Sequence, residues 1–193
     1  MKKQPRTDFA SEALVNLDSV YRFALRLTQG RVSEAEDLVQ DTFLQAQRSW
    51  ASYESHTNCR AWLFAICRNR FLRISSRDAR MVELPDNEAA VEALAATAVF
   101  NEVQNADPEQ SFFSSFLDEE VVRALDGLSV PFREIVVLSD LEGFTYTEAA
   151  EVLGLPVGTV KSRLFRGRRL LQEKLYAYAL EMGYIQPREK NDG

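Results

Sequence analysis

The stretch TYTEAAEVLGLPVGTVKSRLFRGRRLL, residues 145–171, decides the fold of the C-terminal part of the chain. Thr145 and Glu148 have the spacing of a capping box, which starts a helix with its first backbone N–H groups satisfied. Gly154 favours the end of that helix, and Pro156 is accepted in the first turn of the next one. Two helices joined by so short a turn predict a helix-turn-helix, whose second helix enters the major groove of DNA.

The second of these helices has one apolar and one basic face. Its apolar residues are Val157, Val160, Leu164, Leu170 and Leu171, and its other side carries Lys161, Ser162, Arg163, Phe165, Arg166, Arg168 and Arg169. No acidic residue lies between Glu151 and Glu173. A face built only for solubility normally mixes both signs of charge, so this pattern favours contact with a polyanion. Taken alone, the motif leaves an ordinary helical hairpin with a solvated basic face equally open.

Charge is distributed unevenly along the 193 residues, although the net charge is −6 and the pI is near 5.0. Every charged residue from 60 to 77 is arginine, and residues 81–120 contain no lysine or arginine but many acids. Two basic segments separated by an acidic one suggest polyanion contact at both ends. No segment approaches the length of a membrane span, and no apolar signal region follows the N-terminus, so we expect a cytoplasmic protein.

Two cysteines are too few for a disulfide framework and fit a reducing compartment. His56 and Cys59 form half of a zinc-site spacing, but Cys67 is the only other thiol and no second histidine exists. Structural zinc prefers sites rich in cysteine and histidine, so we predict no metal and no cofactor. No nucleophile–base constellation and no paired-carboxylate site is present, and we predict that the chain is not an enzyme.

Apolar periodicity predicts an all-α protein of two small helical domains. Helical spacing runs from Glu12 to Leu27; Ser33 and Glu36 predict a second capping box, and a third helix covers residues 61–77. The predicted organisation is a disordered tail at 1–11, a domain at 12–80, an acidic flexible linker at 81–117, a domain at 118–183 and a tail at 184–193.

Three stretches together resemble bacterial sigma-70-family RNA polymerase sigma factors of the extracytoplasmic-function (ECF) type. They are AEDLVQDTF at 35–43, RAWLFAICRN at 60–69 and PVGTVKSRLFRGR at 156–168. The resemblance covers residues 12–80 and 118–180, and implies the two domains called regions 2 and 4. It implies promoter-specific initiation of transcription with core RNA polymerase.

The resemblance also implies roles for individual residues. The polymerase β′ clamp helices would bind Asp37, Leu38, Gln40, Asp41 and Phe43, and region 4 would meet the β flap. The minus-10 element would contact Tyr53, His56, Asn58, Arg60, Trp62, Arg68, Asn69, Arg70 and Arg73. The minus-35 element would contact Lys161, Ser162, Phe165 and Arg166, with Arg163, Arg168 and Arg169 on phosphates. For Trp62, a place in the core is the simpler interpretation of its helical spacing.

The loop at 55–63 and the segment Gly167–Arg169 resemble the oxidative-stress members of the family. Such members are often held inactive by a zinc-containing anti-sigma factor, which implies such a partner here and a monomer when the chain is free. The competing hypothesis is a helix-turn-helix regulator that binds duplex DNA by itself as a dimer. A helical adaptor without a DNA role is the third.

Overall fold

The computed structural model describes residues 8–54, 57–79 and 119–183. Across these residues the chain forms helices and turns, which confirms the predicted all-α fold of two helical domains. Residues 1–7 of the predicted N-terminal tail lie outside the described residues, as do the predicted linker and the predicted C-terminal tail. No helix in the described ranges has both the length and the apolar content needed to cross a membrane.

The N-terminal unit contains four α-helices and two short 3₁₀ turns. They are α1 (Phe9–Glu12), a turn at Leu14–Asn16, α2 (Leu17–Leu27), α3 (Val32–Ser49), a turn at Trp50–Ser52 and α4 (Cys59–Ala79). Residues 9–11, which the sequence assigned to the tail, are therefore helical, and Phe9 packs edge-on against Trp50 with ring centroids 5.1 Å apart. Phe23 of α2 stacks on Phe64 of α4 at 4.8 Å, in the centre of the unit.

The start of α3 differs from the expectation. The helix begins at Val32 with Arg31 as its N-cap and without a side-chain cap, so the Ser33–Glu36 capping box was a wrong prediction. Ser33 instead lies inside the first turn, where its hydroxyl cannot cap the helix. The turn before α3 is set by Gln29 and Gly30, whose φ angles of 55° and 77° are left-handed and end α2.

The C-terminal unit contains α5 (Glu119–Asp126), α6 (Val130–Val136), a π-helical turn (Val137–Leu141), α7 (Tyr146–Leu153) and α8 (Val157–Glu181). Thr145 and Glu148 form the predicted capping box in both directions. Gly154 ends α7 with φ 66°, as predicted, and Pro156 is the N-cap of α8 rather than a residue of its first turn. The helix-turn-helix of α7 and α8 is therefore built by local signals.

Helix α8 is a single helix of 25 residues that crosses α6 closely. The crossing point is Gly167, which is buried. A Cβ atom there would lie 2.9 Å from Val136 Cγ2 and 3.3 Å from the Phe132 carbonyl oxygen, both in α6. Glycine is thus required by close approach of the two helices, since its backbone is ordinary helix.

The two units pack against each other. Helix α4 of the first contacts α7 of the second, and α2 contacts α6. Phe64 lies between its partner Phe23 and Phe144 of the C-terminal unit, whose ring centroid is 4.8 Å away. The contact brings the arginines of α4 to the acids of the C-terminal unit.

Candidate nucleic-acid interface

The basic face of α8 lies on the surface of the helix-turn-helix. Val160 and Leu164 are buried in the core, while Lys161 is exposed and its ammonium lies 5.7 Å from the ring centroid of Tyr146 in α7. Phe165 and Arg166 are half-buried on the neighbouring turn. A helix presenting cations and one aromatic side chain on an accessible face has the shape and charge of a major-groove reader.

Three other predicted minus-35 residues make contacts within the chain. The Ser162 hydroxyl donates to the Thr159 carbonyl at 3.0 Å. Arg168 donates twice to the Asp140 carboxylate, at 2.6 and 3.1 Å, and only 7% of that carboxylate side chain is exposed. Arg168 therefore ties α8 to the π-helical turn before the motif. The phosphate contacts of Arg168 and Arg169 stay predictions. Arg169 forms an exposed ion pair with Glu173, one helical turn away.

The second candidate surface is an aromatic cluster beside the start of α4. Tyr53 stacks on Trp50 at 4.7 Å between ring centroids and contacts Trp62 at 4.8 Å. The Tyr53 hydroxyl donates to Glu12 Oε1 at 2.8 Å, and its burial raises the pKa of Tyr53 to about 12. Trp62 is half-buried against the core, so its packing agrees with the simpler interpretation of its spacing and leaves one part of the ring accessible.

Along α4 the predicted minus-10 residues divide into two groups. Asn69 and Arg73 are exposed. Asn58 caps the helix by accepting from the Ala61 N–H at 3.0 Å, and Arg70 pairs with Asp41 of α3. His56 lies outside the described residues. Cations and aromatic faces are the groups that single-stranded nucleic acid binds, so contact of these residues with the minus-10 strand stays a prediction.

Comparison with known proteins decides the family. A model of Sigma-70 region 2 matches residues 14–81, and one of Sigma-70, region 4 matches residues 118–171. The ECF RNA polymerase sigma factor EcfG of Rhodopseudomonas palustris is 35% identical over 92% of this chain and 91% of its own length. This chain belongs to the ECF sigma factors of the sigma-70 family. The N-terminal unit is region 2 and the C-terminal unit is region 4.

Other relatives agree. The ECF sigma factor SigE of Mycolicibacterium smegmatis is 39% identical over 85% of this chain, which spans 60% of that relative's length. Among solved structures, the sigma factor RpoE of Bartonella quintana, in complex with the anti-sigma factor NepR, matches with TM-score 0.66 and 36% identity, covering 88% of this chain and 97% of its own. CnrH, in complex with the cytosolic domain of CnrY, matches with TM-score 0.57 and 27% identity over 88% of each chain.

The residues predicted to bind polymerase lie on α3 of this sigma factor. Asp37 and Gln40 are exposed, and Asp41 and Phe43 are partly buried. Leu38 is 1% exposed and belongs to the region 2 core. Leu38 therefore anchors α3 in the region 2 core, and the accessible polar side of the helix carries Asp37 and Gln40.

Two buried carboxylates of region 4 accept hydrogen bonds from arginines of region 2. Arg22 of α2 donates to both oxygens of Glu142, at 3.0 and 3.1 Å, and Arg60 of α4 donates to the same carboxylate at 2.6 Å. The Glu142 side chain is 2% exposed. Because two cations share it, this carboxylate stays paired despite its burial.

The second buried carboxylate is Glu134 of α6. Arg68 donates to its two oxygens at 2.7 and 3.0 Å and uses its remaining nitrogen for the Leu153 carbonyl, at 3.1 Å. The Glu134 side chain is 2% exposed, and that of Arg68 is 14% exposed. A fork-to-fork pair of this kind is directional as well as strong, so it fixes how region 4 sits on α4.

Further contacts also join the two regions. Arg133 of α6 is 3% exposed and donates to the carbonyls of Arg26 and Leu27 at the end of α2, at 3.1 and 3.2 Å. Asn58 donates to Glu148 Oε1 at 2.7 Å, which joins the start of α4 to the capping box of α7. We call the whole set the region 2–region 4 contact.

Sequence reasoning missed this contact. Arg22, Arg133, Glu134 and Glu142 were assigned no role. One signal was available: Arg133 and Glu134 interrupt an apolar run at residues 130–138. Charged side chains buried in such a run lower the stability of the fold unless partners neutralise them. The identity of those partners was not available, since they lie in the other domain.

Cys59 and Cys67 are both buried free thiols in region 2. Burial raises the pKa of both, and that of Cys67 to about 12. Thiols in this state are poor nucleophiles, because the thiolate is the reactive form. Both side chains serve as small apolar groups of the core.

Proposed function

We propose that this ECF sigma factor binds core RNA polymerase through α3, reads the minus-35 element with α8 and captures the opened minus-10 strand with the surface around α4. Arg163, Arg168 and Arg169 would contact phosphates flanking the bases that the helix reads. No catalytic group is part of the proposal, because recognition and strand capture need only binding surfaces.

The observation that carries the proposal is the geometry of α7 and α8. The capping box at Thr145 and the left-handed Gly154 fix the angle between the two helices, so that α8 presents Lys161 and Arg166 on one accessible side. Long cations there can donate to guanine edges or to phosphates, and each well-made base contact contributes about 1–3 kcal/mol of discrimination. Phe165 adds an apolar contact suited to a thymine methyl group.

For the minus-10 strand, the support is the neighbouring aromatic and cationic surface of region 2. Bases taken out of the stack need π-faces and polar edges, and their backbone needs cations. The accessible part of Trp62 offers a face, and exposed Asn69 offers an amide on the same helix. Arg60, Arg68 and Arg73 would follow the phosphates.

For polymerase, the support is the exposed acidic edge of α3. Asp37 and Gln40 stand on the accessible side of a helix whose opposite side is core. Carboxylates at the rim of a helix suit a partner coiled coil with basic side chains, where they guide orientation. Charge reversal at Asp37 should weaken co-elution with core polymerase, whereas Asp18→Arg on the exposed side of α2 should not.

An anti-sigma factor is the second proposed partner. Two solved relatives of similar fold are in complexes, RpoE with the anti-sigma factor NepR and CnrH with the cytosolic domain of CnrY. The present chain would be controlled in the same general way. Zinc in its anti-sigma partner stays a prediction from the loop at 55–63.

Run-off transcription with core polymerase over a promoter library tests the main proposal. The wild-type chain should produce promoter-specific transcripts. Lys161→Glu should reduce them tenfold or more, because it replaces an attractive contact with a base or phosphate by a repulsive one. Lys174→Glu is the matched control, since it makes the same change on the same helix outside the proposed interface. Equal transcription by the two variants, or no specific transcript from the wild type, would refute the proposal.

The stand-alone regulator is the other hypothesis that the same assay addresses. It requires tight binding to a palindromic duplex without polymerase and a dimer in solution. Family membership favours the sigma factor. Gel filtration of the free chain should give a monomer.

A further inference from the structure

We infer that Glu12 of α1 is a positioning residue of the proposed minus-10 surface. Through the Tyr53 hydroxyl it fixes the ring on which Trp62 packs, and so it fixes the part of Trp62 that would meet an unpaired base. The inference rests on the proposed function, which places Trp62 at the opened strand and gives Glu12 no role. It also assigns Tyr53 a place behind Trp62, instead of a contact of its own with the strand.

The first argument is the packing of three aromatic rings. Trp50, Tyr53 and Trp62 contact one another, and Tyr53 makes the two shorter contacts: its ring centroid lies 4.7 Å from that of Trp50 and 4.8 Å from that of Trp62. Only 8% of Tyr53 is exposed, whereas Trp62 is half-buried. The Tyr53 ring is therefore part of the support that sets how the accessible part of Trp62 is oriented.

The second argument is the polar tether on Tyr53. Its hydroxyl lies 2.8 Å from Glu12 Oε1 and 3.0 Å from the Thr57 carbonyl oxygen. The hydroxyl has one hydrogen to donate, and a carboxylate is a stronger acceptor than a neutral carbonyl. Ring contacts tolerate several arrangements, whereas a hydrogen bond has a narrow range of distance and angle. Glu12 thus fixes the polar end of a ring that the tryptophans fix only by packing.

The third argument is the way α1 meets this cluster. Phe9 and Glu12 are three residues apart and lie on the same side of the helix. Phe9 packs edge-on against Trp50, and Glu12 reaches Tyr53. Packing alone needs no carboxylate, and a half-buried one needs hydrogen-bond partners. Helix α1 therefore braces the aromatic cluster with one apolar and one polar contact.

Positioning matters because a side chain that is ordered before binding spares the cost of ordering it in the complex. For one large side chain, loss of that order weakens binding by about three- to tenfold. The loss should affect stacking of a base on Trp62 and should leave contacts with phosphates unchanged, since those are made by other side chains.

The test compares two substitutions at one position. Glu12→Ala removes the acceptor of the Tyr53 hydroxyl, whereas the conservative Glu12→Gln keeps an acceptor oxygen, and both remove the same charge. Tyr53→Phe keeps the ring and removes the hydroxyl. Asp18→Ala removes a carboxylate on the exposed side of α2 and serves as the control for charge.

The first readout is acrylamide quenching of tryptophan fluorescence in the free chain. The sequence contains two tryptophans, Trp50 and Trp62, and both belong to the cluster, so their fluorescence reports on it directly. Glu12→Ala and Tyr53→Phe should raise the quenching constant, and Glu12→Gln and Asp18→Ala should not. Equal quenching in Glu12→Ala and Glu12→Gln would overturn the inference.

The second readout is binding to DNA by the full chain in complex with core polymerase. The probe is the promoter with the strongest run-off transcript, made with its minus-10 stretch single-stranded. A second probe has abasic sites in that stretch, and so keeps the phosphates without the bases. Glu12→Ala and Tyr53→Phe should each bind the first probe about three- to tenfold more weakly and the abasic probe as the wild type does. The double variant should bind no more weakly than either single one.

Two other roles predict different results. A purely structural role for Glu12 predicts equal losses with both probes or no loss at all. Direct contact between the Tyr53 hydroxyl and the strand predicts that Glu12→Ala, which releases the hydroxyl, does not weaken binding. Either result would overturn the inference.

Circular dichroism shows whether each variant folds, and Tyr53→Phe decides the question if Glu12→Ala does not fold. A promoter library that gives no specific transcript with the wild-type chain would refute the proposed function. Fluorescence quenching then decides by itself whether Glu12 positions Trp62, because that measurement needs neither DNA nor polymerase.

Discussion

Replacement of Gly167 by alanine tests the close crossing of α6 and α8, on which the orientation of the proposed DNA-reading helix depends. Two effects oppose each other. Alanine in a helix interior is favoured over glycine by about 0.8–1.0 kcal/mol. Against this, the added Cβ would lie 2.9 Å from Val136 Cγ2 and 3.3 Å from the Phe132 carbonyl oxygen.

The steric effect should prevail. Val136 is completely buried, and a β-branched side chain in a helix has essentially one rotamer, so its methyl group cannot turn away. The second obstacle is backbone, which moves only with α6 as a whole. Overpacking of this kind costs about 1–3 kcal/mol, which leaves a net loss of roughly 1 kcal/mol. For a domain of this size we expect the melting temperature to fall by about 4–8 °C.

Thermal unfolding followed by circular dichroism measures the effect. Gly158→Ala is the matched control, because Gly158 lies in the same helix and no atom lies within 4 Å of its added Cβ. That variant should be as stable as the wild type or slightly more so. Combining Gly167→Ala with Val136→Ala removes one clash, so the pair should lose less than the sum of the single losses. A Gly167→Ala chain as stable as Gly158→Ala would refute the reasoning.

Two predictions concern titrating groups in the described residues. Thr145→Ala should lower the free energy of unfolding by about 1 kcal/mol through loss of the cap. Hydrogen bonds from the Thr145 backbone and hydroxyl lower the pKa of Glu148. The wild type should therefore also lose stability as the pH falls below the ordinary glutamate range. Glu148→Gln should lose less stability over the same pH range, as measured by urea titration. Tyr53→Phe should cost about 1 kcal/mol at neutral pH through its lost hydrogen bonds. Because burial raises the Tyr53 pKa to about 12, the contribution of Tyr53 to the free energy of unfolding should be fully present below pH 10 and be lost between pH 10 and 12. A Tyr53→Phe chain with the same decline in stability would contradict the assignment.

The helix-turn-helix could be predicted from the sequence because its signals are local. The capping box at Thr145, the left-handed Gly154 and the apolar stripe of α8 each act within a few residues, where spacing alone is informative. The same spacing failed at Ser33, since the turn at Gln29 and Gly30 starts α3 two residues too early for that hydroxyl to be the N-cap. A cap depends on where the chain turns, and the Ser-x-x-Glu pattern does not specify that.

Long-range contacts were settled only by the tertiary structure. The partners of Glu142 and Glu134 lie far away in sequence: Arg22 is 120 residues from Glu142, and Arg68 is 66 residues from Glu134. A charged side chain has many possible partners, and its spacing in the sequence does not identify which of them it contacts. The sequence by itself determined two helical units and a helix-turn-helix with a basic face, because hydrophobic periodicity and caps are properties of neighbouring residues. Packing of the two units decided that the arginines of region 2 face carboxylates of region 4, since only folding brings such distant groups together.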